Sequence, residues 1–214
     1  MDILGPPRGM EQLYDVTEKE LARRRAFRLL LEFIHQTNMQ ERVLLWNILN
    51  VGCGYGADVK DMQETATVKS EQVAVYSVDY WRAIQDYNEQ YRAGANRTFI
   101  CADASHPDIL ARYPTVINQL IMRHPEVCPW DQEMWFKMLL WPWQRLALGK
   151  EVLVTTYNKP EFNRMVNVID GLPDRKIIQA EENPHRDPTL EQFSRKAEAL
   201  NCPDFYVIRV QKVA

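Results

Sequence analysis

The chain has 214 residues and 25.1 kDa, 46% of them hydrophobic and 26% charged, which suits one sizeable α/β domain and argues against a disordered chain. Its 26 basic and 29 acidic residues leave a net charge of −3, which excludes a strongly basic nucleic-acid binder. No apolar run approaches the roughly 18 residues of a membrane span, and Met1–Asp15 does not read as a signal peptide. Cys53, Cys101, Cys128 and Cys202 form no CxxC pair, so neither a disulfide scaffold nor a zinc site is expected. The composition therefore leads to the expectation of a soluble, cytoplasmic, single-domain protein.

Residues 1–16, with Gly5, Pro6, Pro7 and Gly9, read as an irregular N-terminal arm, expected to act as a lid, and residues 17–214 as one domain. Thr17 and Glu20 form a capping box ahead of Ala22, Ala26, Leu29, Leu30 and Phe33 at helical spacing, which predicts an amphipathic helix over 18–36. Short apolar runs then alternate with amphipathic stretches. Residues 44–51 are the first predicted strand, 73–78 the second, 98–101 the third, 116–122 the fourth and 151–156 the fifth. A helix carrying Ile84, Tyr87 and Tyr91 precedes the third, and a helix closing at Gly149 precedes the fifth. Buried-looking strands separated by helices predict a mostly parallel sheet covered on both faces.

The last third differs. A helix near 160–170 ends at Gly171, a strand follows over 175–180, a short helix over 189–200, and a terminal strand over 205–210. The two strands carry no full crossover pattern between them, which predicts an antiparallel pair at the sheet edge.

The chemistry concentrates at predicted strand ends. Asn50-Val51-Gly52-Cys53-Gly54-Tyr55-Gly56 closes the first strand, Asp79 closes the second and Asp103 follows the third. Ligands of open α/β sheets bind outside the carboxyl ends of strands, where glycines let backbone approach a ligand and a carboxylate can accept ribose hydroxyls. Each residue also has a plainer reading, as turn glycines and helix-capping aspartates. The run Gly52 to Ala57 also reads as GxGxxA, which leaves open a dinucleotide-dependent oxidoreductase.

In the order and spacing of these residues the chain resembles the class I S-adenosylmethionine-dependent methyltransferases, from about residue 17 to its end. The resemblance implies a Rossmann-like seven-stranded sheet, S-adenosylmethionine as cofactor and S-adenosylhomocysteine as product. It implies that Gly52, Cys53, Gly54 and Gly56 pass beside the methionyl part and Asp79 holds the ribose. It further places Tyr80 beside the adenine face and Asp103 with Ala104 at the adenine edge. Asn50 stands where many members carry an acidic residue, and its amide oxygen can still accept a hydrogen bond. A non-catalytic, cofactor-binding partner subunit of the same fold is the other outcome compatible with these residues.

On the acceptor side, Arg123, His124 and Glu126 follow the fourth strand in a proline-bounded loop. Arg123 suits an acidic acceptor, His124 suits proton removal and Glu126 suits orienting it. The segment matches neither the [DNS]PP[YFW] motif of amino-nitrogen methyltransferases nor the Lys-Asp-Lys-Glu set of ribose methyltransferases. A small-molecule acceptor is expected ahead of a nucleic acid, with no membrane partner. Trp130, Met134, Trp135, Met138, Trp141 and Trp143 suit core packing or a homo-oligomer interface, and Pro142 should bend or restart their helix.

Overall fold

The computed structural model describes residues 25–32, 46–53, 59–66, 73–79, 96–125, 127–185 and 204–214. The N-terminal arm 1–16, the capping box at Thr17, the helix over Ile84–Tyr91 and the short helix over 189–200 lie outside these residues.

Seven strands form one sheet: β1 (Trp46–Val51), β2 (Val73–Asp79), β3 (Arg97–Cys101), β4 (Ile117–Arg123), β5 (Leu146–Thr156), β6 (Arg175–Glu182) and β7 (Tyr206–Lys212). Their order is β3-β2-β1-β4-β5-β7-β6. The first five pair in parallel, whereas β7 pairs antiparallel with both β5 and β6. The expected mostly parallel sheet with an antiparallel end is thus present. A dinucleotide fold would continue past β5 with a second, all-parallel mononucleotide half. Here the antiparallel strands β7 and β6 complete the sheet instead.

Both faces of the sheet are covered, which is why its central strands β1 and β4 are buried almost throughout. One face sets Leu49, Val51, Leu120, Met122, Val152 and Ile208 against α3 (Gln132–Arg145) and α4 (Lys159–Asp170). The other sets Ile48, Val75, Ile121, Leu153 and Val207 against α1 (residues 25–32) and α2 (Val59–Ala66). Residues one apart therefore serve opposite cores, the period-two consequence of a pleated strand. Buried side chains of this size contribute about 1.5–3 kcal/mol each.

Two local expectations are corrected. The helix before β5 does not close at Gly149: α3 ends at Arg145 and β5 begins at Leu146. Gly149 lies inside β5 at φ 76°, a left-handed backbone position, and its carbonyl accepts from the Gln211 side chain at 2.9 Å. The true end of α3 is capped from across the fold, where Lys212 Nζ donates to the carbonyls of Trp143 and Leu146 at 2.9 Å each. Pro142 does not restart the helix either: α3 runs through it to Arg145. The aromatic stretch is chiefly core: Met138 and Trp143 are buried, and Trp143 Nε1 donates to the Pro173 carbonyl. Trp130, in the loop before α3, and Met134 are the exceptions, with exposed side chains. No helix among the described residues is long and apolar enough to cross a membrane.

Candidate functional site

At the carboxyl edge of the sheet, backbone bonds tie three strand exits together. Gly52 and Cys53 both donate to the Val78 carbonyl, at 2.9 and 3.1 Å, so the loop leaving β1 folds across the end of β2. The next carbonyl along, that of Asp79, accepts from Ala102 N at 3.0 Å and draws in the exit of β3. Asp79 is thereby held between Gly52-Cys53 on one side and Ala102–Ala104 on the other. Three segments predicted separately are one cluster. Asn50 is buried in β1, registered with Ser77 on β2 and Ile121 on β4.

Gly52 has φ 68°, and a Cβ built on it would meet nothing within 4 Å among the described residues. Its requirement for glycine is therefore conformational, with open space in front of the backbone at the sheet edge. Asp103 shows its plainer role: its Oδ1 accepts from the backbone N and the hydroxyl of Ser105, at 2.8 and 2.7 Å. Ala104 is buried beneath that turn, and Trp141 Nε1 pins it from α3 by donating to the Ser105 carbonyl at 2.8 Å. His106 opens a 3-10 helix, Pro107–Arg112, rather than a full α-helix. Gly54, Gly56, Tyr80 and Glu126 lie outside the described residues.

The topological switch falls between β1 and β4, the two central strands whose chain connections run in opposite directions. Their register, Val51 against Met122, puts Gly52 and Arg123 one step further along, at the mouth of the switch. There a second cluster assembles around Asp204, at the entry to β7. Arg123 donates to both Asp204 oxygens, Nε to Oδ1 at 3.2 Å and Nη2 to Oδ2 at 2.7 Å. The Thr155 hydroxyl donates to Oδ1, and His124 Nε2 lies 3.0 Å from the same oxygen. The Asp204 backbone carbonyl accepts from Asn183 Nδ2 at 2.8 Å. Arg123 also stacks its guanidinium 4.0 Å over the Phe27 ring of α1.

Asp204 is fully buried, and burial by itself would push its carboxyl up. Arg123 and then His124 outweigh burial and hold the carboxyl well below its ordinary range. The guanidinium expected to fork around an acidic acceptor forks around Asp204 instead. His124 stands at φ 49°, a left-handed conformation that costs a non-glycine residue about 1–2 kcal/mol. Its backbone N nonetheless donates to the Thr155 carbonyl at 2.8 Å, which extends the β4–β5 pairing by one residue.

Asp204, Thr155, Asn183 and Phe27 are the members of this cluster that the sequence did not single out. Asp204 is 81 residues from Arg123, and its local setting reads only as a polar residue before a strand. Pairing β5 with the antiparallel β7 is what delivers it.

No family model matches the sequence, and no curated protein matches it. The fold is similar to that of an rRNA methylase from Streptococcus thermophilus, at 12% identity and a TM-score of 0.57 over 93% of this chain and 99% of that one. It is similar to the N-methyltransferase NodS from Bradyrhizobium japonicum WM9, at 10% identity and a TM-score of 0.59 over 90% and 97%. It is also similar to the plantazolicin methyltransferase BpumL in complex with S-adenosylhomocysteine, at 10% identity and a TM-score of 0.60 over 97% and 91%. At these identities the likeness establishes the fold. It is a Rossmann-like methyltransferase fold, built in this chain on a seven-stranded mixed sheet.

Proposed function

We propose that this chain transfers a methyl group from S-adenosylmethionine to a small-molecule acceptor. The observation that carries the reading is the stitched cluster of Gly52, Cys53, Asp79 and Ala102, with no described residue within 4 Å of a Cβ at Gly52. The fold supports it, and a bound S-adenosylhomocysteine in the BpumL complex is in keeping with it. When bound, the cofactor supplies a methyl group already activated on a sulfonium, so the protein has mainly to bind, align and exclude water.

The chain's own residues divide that work. The backbone at Gly52-Cys53 lies along the methionyl part, with no Cβ at Gly52 to hold it off. The Asp79 carboxylate accepts from the ribose hydroxyls. The turn at Asp103-Ala104, already rigid through Ser105 and Trp141, borders the adenine. Gly54, Gly56 and Tyr80 keep the cofactor roles the resemblance implies, and Asn50 backs the loop from inside β1. The acceptor enters at the end of β4, where His124 takes its proton and Glu126 lies close in sequence. Arg123 serves this side by fixing Asp204. The net charge of −3 favours a small acceptor over a nucleic acid, whose affinity would rest on a basic surface.

Calorimetry with S-adenosylhomocysteine tests the cofactor assignment. Binding in the low-micromolar range, about 8 kcal/mol, is expected for the native chain. Asp79→Ala should lose most of that affinity while its circular dichroism spectrum stays native. Affinity equal to that of the native chain would leave Asp79 a structural residue and remove the ribose assignment.

A further inference from the structure

The second cluster has a feature that cofactor binding does not use. A fully buried carboxylate, Asp204, is shared by an arginine, a hydroxyl and one nitrogen of a histidine held in a left-handed backbone conformation. The strain at His124 is sustained by pairing on both sides: its backbone N is bonded to Thr155, and its ring is set against Asp204.

We infer that Asp204 is a positioning residue that fixes the proton of His124 on Nε2 and so presents Nδ1 as the base that deprotonates an O–H or N–H acceptor. The reasoning is electrostatic. His124 Nε2 is buried and lies 3.0 Å from Asp204 Oδ1, bent away from hydrogen-bond alignment. An Nε2 without a proton would bring a second electron-rich atom within 3.0 Å of an anionic oxygen, so the neutral ring carries its proton there. Arg123 and Thr155 keep that oxygen anionic and stationary. The His124 side chain retains 22% exposure although Nε2 has none, so the reachable part of the ring is the edge away from Asp204. The His124 and Tyr157 rings lie perpendicular, with centroids 6.3 Å apart at 89°.

The step this arrangement serves is balanced. The acceptor's lone pair forms the new bond to the methyl carbon, the carbon–sulfur bond breaks with its electron pair left on sulfur, and the acceptor's proton passes to Nδ1. A histidine with Nδ1 already protonated could not take it. The inference thus narrows the acceptor to a heteroatom that must lose a proton, and it rests on the methyl-transfer reading above.

Nitrogen-15 NMR of the full-length protein labelled at histidine tests it without any acceptor in hand. His124 is assigned by the loss of its signals in His124→Gln. Above the range in which histidines titrate, the native protein should show His124 with its proton on Nε2 alone. A proton on Nδ1, or a rapidly exchanging mixture of the two forms, would overturn the inference. In Asp204→Asn the Nε2 preference should be lost, since the amide can donate where the carboxylate could only accept. If a folded Asp204→Asn protein keeps the preference, Asp204 is not its cause and the inference fails. Should that variant not fold, the native spectrum decides alone. S-adenosylhomocysteine titrated into the same sample separates the two proposals: absent binding removes the methyl-transfer reading, whereas binding with the wrong tautomer removes only this one.

Discussion

At the scale of single residues, two buried polar groups sit in opposite circumstances. The Tyr113 hydroxyl is buried with no hydrogen-bond partner among the described residues, while the Asp204 carboxylate accepts from two neighbouring side chains, Arg123 and Thr155. An orphaned buried hydroxyl costs about 1–3 kcal/mol, so Tyr113→Phe should be neutral or stabilising in urea denaturation. Burial, and then the charge of Asp103, push the Tyr113 phenol above its ordinary value. A phenol whose folded-state titration is raised contributes stability that is complete below about pH 10 and is lost as pH rises beyond it. Tyr113→Phe should remove that part of the alkaline loss.

Asp204 works with the opposite sign. Its titration is depressed in the folded state, so its contribution is present above about pH 4 and is lost as pH falls further. Removing the carboxylate takes both Asp204 bonds from the buried Arg123 guanidinium, a change that costs about 3–5 kcal/mol. Asp204→Ala should therefore unfold at much lower urea than Thr155→Val, which removes one neutral donor worth about 1 kcal/mol. Equal midpoints for the two variants would mean that Arg123 finds another partner at no cost.

At the scale of elements, the two left-handed glycines make a controlled comparison. Gly52 ends β1 at φ 68° and Gly149 interrupts β5 at φ 76°, and a Cβ on either would meet nothing within 4 Å. Alanine at either position then costs only the backbone strain, about 1–2 kcal/mol. Gly52→Ala should also weaken S-adenosylhomocysteine binding in calorimetry, and Gly149→Ala should leave it unchanged. Matching affinities in the two variants would place the cofactor away from Gly52. The same pair shows why a glycine alone does not locate an element boundary. Glycine is common at helix ends, which is the reading Gly149 invites, yet the strand needs the same left-handed freedom. The end of α3 depends on Lys212, which no local pattern associates with Trp143 or Leu146.

At the scale of the whole molecule, a ligand that bridges several strand exits should stabilise the sheet as a unit. S-adenosylhomocysteine at about a hundred times its dissociation constant should add about 2.7 kcal/mol, read as a rise in melting temperature. With Asp79→Ala the rise should largely disappear. A full rise in that variant would place the binding energy elsewhere on the surface.

The strands, their order along the chain and the residues at their carboxyl ends were legible in the sequence. Each is written locally, as a run of apolar residues that must be buried on both faces and a glycine or aspartate that must end it. Gly52, Asp79 and Asp103 could be found for that reason, since a site built from successive strand ends is collinear with the chain. The Asp204 cluster could not, because its members come from β4, β5 and the entry to β7, and only the antiparallel pairing of β7 with β5 brings them together. The same limit applied to the partner of Arg123 and to the cap of α3. The sequence by itself determined which strands form and which residues stand at their carboxyl ends. Tertiary structure alone decided which charges meet there, because the energy of a buried ion pair depends on distance and burial that no local pattern encodes.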